Sequence, residues 1–298
     1  RDPNHAGALA SLGYLYDRLD RVDEALAMYE RAAQTPDRAA LARYTQFLLH
    51  FRRGHFAEAD KAIRASIAVQ PSANSQGGLA MLLLTWQGDP ERAATAIASG
   101  PAATRSEHRI VWLTTYLHLV RRKPDEALRA LNRLSDEFIH DNWFVGPKDY
   151  FVGLANAQAN RMEAARVAWE AALAQTRARL SAKPTDRDLH LMLGELLALL
   201  GHREEALREV RLTDELKRWP PPWTSSSVRI LARLGLAEDA VPLLRGIRAE
   251  MRDGYGWPLT AALLRLDPVW DKIRDHPKFQ ELLQETDSPA TVQRAATP

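Results

Sequence analysis

The sequence contains no cysteine among its 298 residues, which excludes disulfide bonds, thiolate metal sites and a cysteine nucleophile. It also lacks an excess of one charge, because 40 basic and 38 acidic residues leave a formal net charge of +2. No strong field therefore favours nucleic acid as a partner. The apolar stretch nearest to a membrane span, residues 79–86, is about two helical turns long, whereas a span needs about 18 apolar residues. We expect neither nucleic-acid binding nor membrane insertion by this chain.

The patterns that carry catalysis and metal binding are missing as well. The 9 histidines are scattered and show no HExxH spacing, which is the pattern of a helical zinc site. Gly77 and Gly78 form a lone pair rather than a phosphate-binding loop. The serines at 225–227 have no nucleophile-elbow motif around them. We therefore expect no enzyme activity, no metal and no cofactor.

What the sequence does have is a period in its alanines. Ala25, Ala59, Ala93 and Ala127 are each 34 residues apart. The series continues after small insertions at Ala165, Ala206 and Ala240, at intervals of 38, 41 and 34 residues. Each alanine follows an acidic, turn-rich entry into a helical pattern. A fixed period of this length predicts an array of stacked helical hairpins.

The first unit shows the pattern of the hairpin most clearly. Its first helix has apolar or small residues at i, i+3, i+4 and i+7, namely Leu9, Leu12, Gly13 and Tyr16. A turn at Asp20–Arg21 precedes a second helix with Ala25, Tyr29 and Ala32, which Pro36 ends. This unit resembles the tetratricopeptide repeat. The resemblance implies an all-α, right-handed α-α superhelix of about seven helix-turn-helix repeats over residues 1–256.

The agreement with this repeat differs among the seven units. The first, fifth and sixth match it best, and the register with their neighbours supports the other four. Those four carry larger residues where the small first-helix residue belongs: Phe47, Met81, Thr115 and Val228. In the fifth unit the second helix is predicted to be about two turns longer than usual, since no breaker occurs before Pro184.

The pattern changes after the seventh unit. Residues 257–285 are predicted to form a helical cap, because the last hairpin of a solenoid exposes an apolar face. We expect Trp270 and Phe279 to pack near Leu243, Leu244 and Ile247. The segment resembles the end of tetratricopeptide modules in bacterial signalling proteins, where they follow kinase, cyclase or winged-helix domains. The matching residues are Leu266, Asp267, Pro268, Trp270, Asp271, Arg274, Pro277, Phe279 and Leu282. The tail at 286–298 is small and polar, and we expect it to be disordered.

The family resemblance also implies a binding groove lined by the first helix of each unit. Carried over residue by residue, it gives an aromatic-rich groove with several arginines. The candidate groove residues are Tyr14, Arg18, Tyr44, Phe51, Arg52, Trp86, Arg109, Trp112, Tyr116 and Tyr150. The carboxylate clamp of the chaperone-tail-binding members is absent, since Leu41, Tyr44 and Leu48 stand at those places in the second unit. Aromatic residues with arginine are typical of binding hot spots. The alternative is that these rings only pack between repeats.

The sequence therefore predicts a non-catalytic scaffold or sensor module that binds a protein or peptide segment. Two alternatives stay open: an intramolecular regulator of a kinase, cyclase or DNA-binding domain that precedes it, and a small-ligand sensor in the groove. The chain starts at Arg1 and shows no signal-peptide profile, so we expect a piece of a longer protein. We expect it in the cytoplasm, or in the periplasm if a membrane span precedes it.

Overall fold

Helices dominate the computed structural model, which describes residues 5–216, 227–252 and 259–285. Within these residues, two short strands, β1 (Phe138–His140) and β2 (Val145–Pro147), pair as an antiparallel hairpin. The helices are α1 (Ala6–Arg18), α2 (Val22–Ala33), α3 (Pro36–Arg52), α4 (Phe56–Val69), α5 (Ala73–Leu82), α6 (Pro90–Ala98), α7 (His108–Val120), α8 (Pro124–Leu131), α9 (Lys148–Gln158), α10 (Met162–Ala182), α11 (Arg187–Leu199), α12 (Arg203–Glu215), α13 (Ser227–Arg233), α14 (Ala237–Arg252), α15 (Ala261–Leu266) and α16 (Pro277–Gln284).

Consecutive helices pack together as hairpins, from α1 with α2 to α13 with α14, and each hairpin packs against the next. The second helix of each hairpin places its periodic alanine at the contact with the first helix. All seven of these alanines are fully buried: Ala25, Ala59, Ala93, Ala127, Ala165, Ala206 and Ala240. A methyl side chain at this point lets two helix backbones approach closely. The 34-residue period of the sequence thus marks a series of buried side chains at the contacts between paired helices.

The turns between paired helices follow the same period. Each turn contains one residue with a positive φ, five positions before the periodic alanine of the second helix. These residues are Asp20, Gly54, Gly88, Arg122, Asn160, Gly201 and Gly235. Glycine adopts this left-handed conformation without steric cost, and Asn and Asp tolerate it. Arg122 is the unusual member, since its φ of 57° places a long side chain in a conformation that such residues disfavour.

Two glycines show how closely the helices of one unit meet. A Cβ atom at Gly13 would lie 2.6 Å from the ring of Tyr29, and one at Gly153 would lie 2.1 Å from Trp169 Nε1. Both distances are shorter than a van der Waals contact. The aromatic ring of the second helix therefore fills the space that the glycine leaves on the first.

Two features of the fifth unit differ in how well the sequence predicts them. Helix α10 runs for 21 residues, as the absence of a breaker before Pro184 predicts. The β-hairpin before α9 was not predicted. Its strands pair with Ile139 opposite Gly146, and it accounts for the longer interval between Ala127 and Ala165.

The C-terminal segment, residues 259–285, contacts both the last hairpin and the middle of the array. Helix α16 packs on α14, and Arg248 Nη1 of α14 donates to the carbonyl of Leu282 at 2.7 Å. Trp270 and Phe279 are buried, as is Leu244. Leu243, which we expected in this contact, is 43% exposed.

The other end of the segment reaches the third unit. Helix α5 ends in a π-helical turn, Leu83–Gln87, which contacts α15. The Thr260 hydroxyl donates to the carbonyl of Thr85, and a Cβ at Gly88 would lie 3.3 Å from the Ala262 methyl. The segment therefore crosses the array in addition to covering its end. The predicted boundary between 256 and 257 and the tail at 286–298 lie outside the described residues.

The contact between paired helices predicts that two neighbouring alanines of α10 differ in their tolerance of a larger side chain. Ala165 is fully buried and Ala164 is exposed. Ala165→Leu should lower the free energy of unfolding by about 1–3 kcal/mol through overpacking. Ala164→Leu should change it by less than about 0.5 kcal/mol. Urea unfolding followed by circular dichroism measures both, and equal midpoints would show that the assigned register is wrong.

Candidate functional site

The ten predicted groove residues differ sharply in exposure. Tyr14 and Trp86 are 50% and 41% exposed, and Arg18 is exposed as well. Arg52 is partly exposed and forms an ion pair with the buried Asp17. The remaining six are buried: Tyr44, Phe51, Arg109, Trp112, Tyr116 and Tyr150.

Phe51 lies in the core of the second unit. Its ring centroid is 5.3 Å from that of Phe47 and 6.1 Å from that of Phe56, and it has no exposed surface. Phe51 therefore contributes packing and presents no surface to a ligand in this conformation.

The tip of the β-hairpin covers the first half of α7. Asp141 accepts hydrogen bonds from Arg109 Nε at 2.9 Å and from Arg109 Nη2 at 3.2 Å. The same guanidinium donates to the Tyr44 hydroxyl at 2.9 Å. Phe144 places its ring centroid 5.9 Å from that of Trp112. Two residues that the sequence analysis did not single out, Asp141 and Phe144, thus complete this stretch of the concave face.

Beyond the hairpin, the concave face and the C-terminal segment enclose a cavity of about 360 Å³. Three of the predicted groove residues, Trp112, Tyr116 and Tyr150, line it. The opposite wall includes Asp267, Val269 and other residues of the turn between α15 and α16. The structure therefore brings three of the ten candidates together at one concavity, while Tyr14, Arg18 and Trp86 lie elsewhere.

Glu195 of α11 is the centre of a polar network beside this cavity. The Tyr150 hydroxyl donates to Glu195 Oε2 at 2.6 Å. Arg229 Nε donates to Oε1 at 3.0 Å, and Arg233 Nε donates to Oε2 at 3.1 Å. Sequence reasoning missed this network, since its members belong to three different units.

Asp267 extends the network into the C-terminal segment. Its carboxylate accepts from the Tyr116 hydroxyl at 2.9 Å and from Arg229 Nη1 at 3.2 Å. It also caps the short helical turn that follows, by accepting from the Val269 amide at 2.9 Å. Two buried guanidinium groups thus face two buried carboxylates, so the interior of the network is balanced in charge.

The network changes how its groups titrate. Burial alone would raise the pKa of Glu195, but Arg229 and Arg233 hold it below its ordinary value. Burial and the Asp267 carboxylate raise the pKa of Tyr116 well above the ordinary value of a phenol. Both groups therefore keep a single protonation state near neutral pH: Glu195 is ionised and Tyr116 is a hydrogen-bond donor.

Charged groups at the mouth of the cavity are arranged differently. Arg122 pairs with Asp271 through contacts of 2.6 and 2.8 Å, and Arg274 Nη2 donates to Asp271 at 2.9 Å. Lys272 is exposed at the rim, and it forms no ion pair with any described residue. Asp271 is therefore already shared by two arginines, and Lys272 is left as a free cation.

Neither a candidate metal site nor a candidate membrane-spanning helix occurs in residues 5–216, 227–252 and 259–285. In these ranges no group of three or more His, Cys, Asp or Glu side chains is placed to hold a metal ion. No helix described here combines the length and the apolar character needed to cross a bilayer.

Comparison with known proteins gives likeness in fold only. No family model and no curated protein matches the chain. A tetratricopeptide repeat protein from Parabacteroides merdae superposes with a TM-score of 0.51 at 10% identity, over 90% of this chain and 98% of that one. Yeast Tom70 gives 0.48 at 13% identity, over 96% of this chain and 69% of that one. Pseudomonas aeruginosa pilF gives 0.43 at 15% identity, over 77% and 97%.

The first of these superpositions, together with the paired helices, confirms the predicted fold class. The chain has the all-α solenoid fold of tetratricopeptide repeat structures. At 10% identity the likeness concerns the fold, and functional arguments rest on the site itself.

The network predicts a pH-dependent cost for Glu195→Gln. The pKa of folded Glu195 lies below the ordinary value of 4.5. Its charge therefore stabilises the fold above about pH 4.5, and this contribution is lost as pH falls through the folded pKa. At neutral pH, Glu195→Gln should cost about 3–5 kcal/mol, because Arg229 and Arg233 lose their buried partner. Urea unfolding at several pH values should show this difference shrinking in acid.

The exposed Glu163, which pairs with Arg166 on α10, supplies the control. Glu163→Gln should change the free energy of unfolding by less than about 0.5 kcal/mol at any of these pH values. If the two variants behave alike, the network does not stabilise the fold as described.

Proposed function

We propose that this chain is a non-catalytic scaffold that binds a protein or peptide segment on the N-terminal half of its concave face. The observation that carries the proposal is the contrast in exposure along the predicted groove. Tyr14 and Trp86 keep 50% and 41% of their surface exposed, whereas Trp112, Tyr116 and Tyr150 are covered by the β-hairpin and the C-terminal segment. Only the first group is free to meet a macromolecule.

The residues around the exposed aromatics support a peptide as the ligand. Trp86 stacks on Phe56 with centroids 6.2 Å apart, so one face of the indole is held while the other side remains accessible. Arg18, Arg52 and Trp86 are 34 residues apart, so they occupy equivalent positions in the first, second and third units. Exposed aromatic rings beside arginines are the side chains that contribute most to protein interfaces. A partner with apolar side chains flanked by acidic ones fits this surface.

The position of the C-terminal segment favours a second candidate, intramolecular regulation. Thr260 and Asp267 bind the π-helical turn and the concave face of the array, so this surface does accept a segment of the chain itself. The resemblance of residues 266–282 to modules of bacterial signalling proteins supports the proposal that the scaffold regulates a kinase, cyclase or DNA-binding domain. Under this proposal it works in the cytoplasm, or in the periplasm if a membrane span precedes it.

The proposed surface can be tested with peptides from a displayed random library that are selected for binding to the full chain. Tyr14→Ser and Trp86→Ser should each weaken binding of a selected peptide by about tenfold or more, as expected for hot-spot residues. Because both side chains are largely exposed, thermal stability should change little. Fluorescence anisotropy with a labelled peptide measures the affinity.

The matched control is Val167→Ser on α10, a position that is 57% exposed and lies on a second helix. This variant should bind like the unaltered chain. Selected peptides that bind all three variants equally would place the interaction outside the N-terminal half of the groove.

A further inference from the structure

We propose that the cavity between the concave face and the C-terminal segment binds a small amphipathic monocarboxylate, with its apolar tail inside and its carboxylate on Lys272. This site does not depend on the proposed peptide surface, because it lies on later units of the array. The two proposals can therefore fail independently.

The size and walls of the cavity suit an apolar tail. Its volume of about 360 Å³ falls within the range of about 300–1,000 Å³ that is typical of small-molecule sites. Rings from α7, α9 and α10 form the concave side, among them Trp112, Tyr150 and Trp169. Leu154 and Val269 add aliphatic surface from opposite walls. An alkyl or aryl group would replace water against these side chains.

The charged groups next to the cavity do not require a ligand of their own, whereas the Trp169 indole N–H and the Gln158 side-chain oxygen have no hydrogen-bond partner among the described residues. Both carboxylates, Glu195 and Asp267, already accept hydrogen bonds from arginine and tyrosine side chains. The two guanidinium groups balance their charge. A charged group of a ligand placed deep in the cavity would lose hydration without gaining an unpaired group of opposite charge, which is costly. The inner part of the ligand must therefore be uncharged, and the aromatic and aliphatic walls favour an apolar one.

The mouth of the cavity, in contrast, has an unmatched positive charge. Four cationic residues line the cavity (Arg122, Arg229, Arg233 and Lys272), against three acidic ones (Glu195, Asp267 and Asp271). Lys272 is the one in excess, since Asp271 pairs with Arg122. Partial burial and the Arg233 guanidinium lower the pKa of the Lys272 ammonium, as expected for a cation that lacks a compensating partner. A ligand carboxylate at the rim would supply that partner.

The same arrangement disfavours other head groups. A cationic head would be repelled by Lys272, and a neutral hydroxyl would form a hydrogen bond without the charge pair. Because charge-assisted hydrogen bonds are roughly twice as strong as neutral ones, a monocarboxylate should be preferred over an alcohol of the same chain length.

Three probes with the same alkyl chain separate these cases: decanoate, decanol and decyltrimethylammonium, each below its micelle-forming concentration. Titration calorimetry and tryptophan fluorescence of the full chain measure binding, since Trp112 and Trp169 line the cavity. We expect saturable binding of one decanoate, with decanol about tenfold weaker and the cationic probe weaker still. Absence of saturable binding, or equal affinities of the three probes, would overturn the proposal.

Variants locate the head and the tail. Lys272→Met should weaken decanoate about tenfold and leave decanol unchanged, while Lys183→Met, at an exposed lysine of another unit, should change neither. Leu154→Trp should fill the cavity and weaken both probes. Decanoate binding that survives Lys272→Met would reject the carboxylate assignment, and full binding by a folded Leu154→Trp would reject the location. Peptide binding at Tyr14 and Trp86 should be unaffected by any of these variants.

Discussion

The structure depends on one repeated contact, the close approach of two helices at a buried alanine. A methyl group at Ala25, Ala127 or Ala206 holds the paired helices at a distance at which the larger neighbours interdigitate. The left-handed turn residue five positions earlier fixes the direction of the second helix. Because both conditions are local, each unit sets its own geometry, and the array follows from repetition. The concave face, and every site on it, inherits its spacing from this contact.

A second interaction decides which part of that face stays open. The Glu195 network joins α9, α11 and α13 to the C-terminal segment through Arg229 and Asp267. Desolvating two carboxylates and two guanidiniums is expensive, and only good geometry offsets the cost. The C-terminal segment lies where its Asp267 carboxylate meets Arg229 and Tyr116. The later units thus enclose a cavity, and the earlier units leave exposed aromatic rings.

The sequence could predict the parts of the structure that rest on local rules. The 34-residue period placed the helix pairs and their buried alanines, and the missing breaker before Pro184 predicted the long α10. The β-hairpin could not be predicted in this way, since the extra residues before Ala165 show an insertion but not a strand pairing. Trp270 and Phe279 indicated a buried segment. Its path, however, depends on the contact between Asp267 and Arg229, and no pattern in the sequence pairs these two residues. Three of the ten groove candidates line the cavity. The residues that cover them come from distant parts of the chain, so the sequence could not predict this cover either.

The long-range closure has a consequence for how the chain folds. Units of a solenoid contact mainly their neighbours, so folding can begin at any point and partial unfolding can stop at any boundary. Here the Tyr116–Asp267 bond spans 151 positions and the Thr85–Thr260 bond spans 175. Closing loops of this length is slow and requires the intervening units to be in place. Once formed, these two bonds join the C-terminal segment to the third and fourth units as well as to the seventh. We therefore expect the third to seventh units to unfold together as one cooperative block.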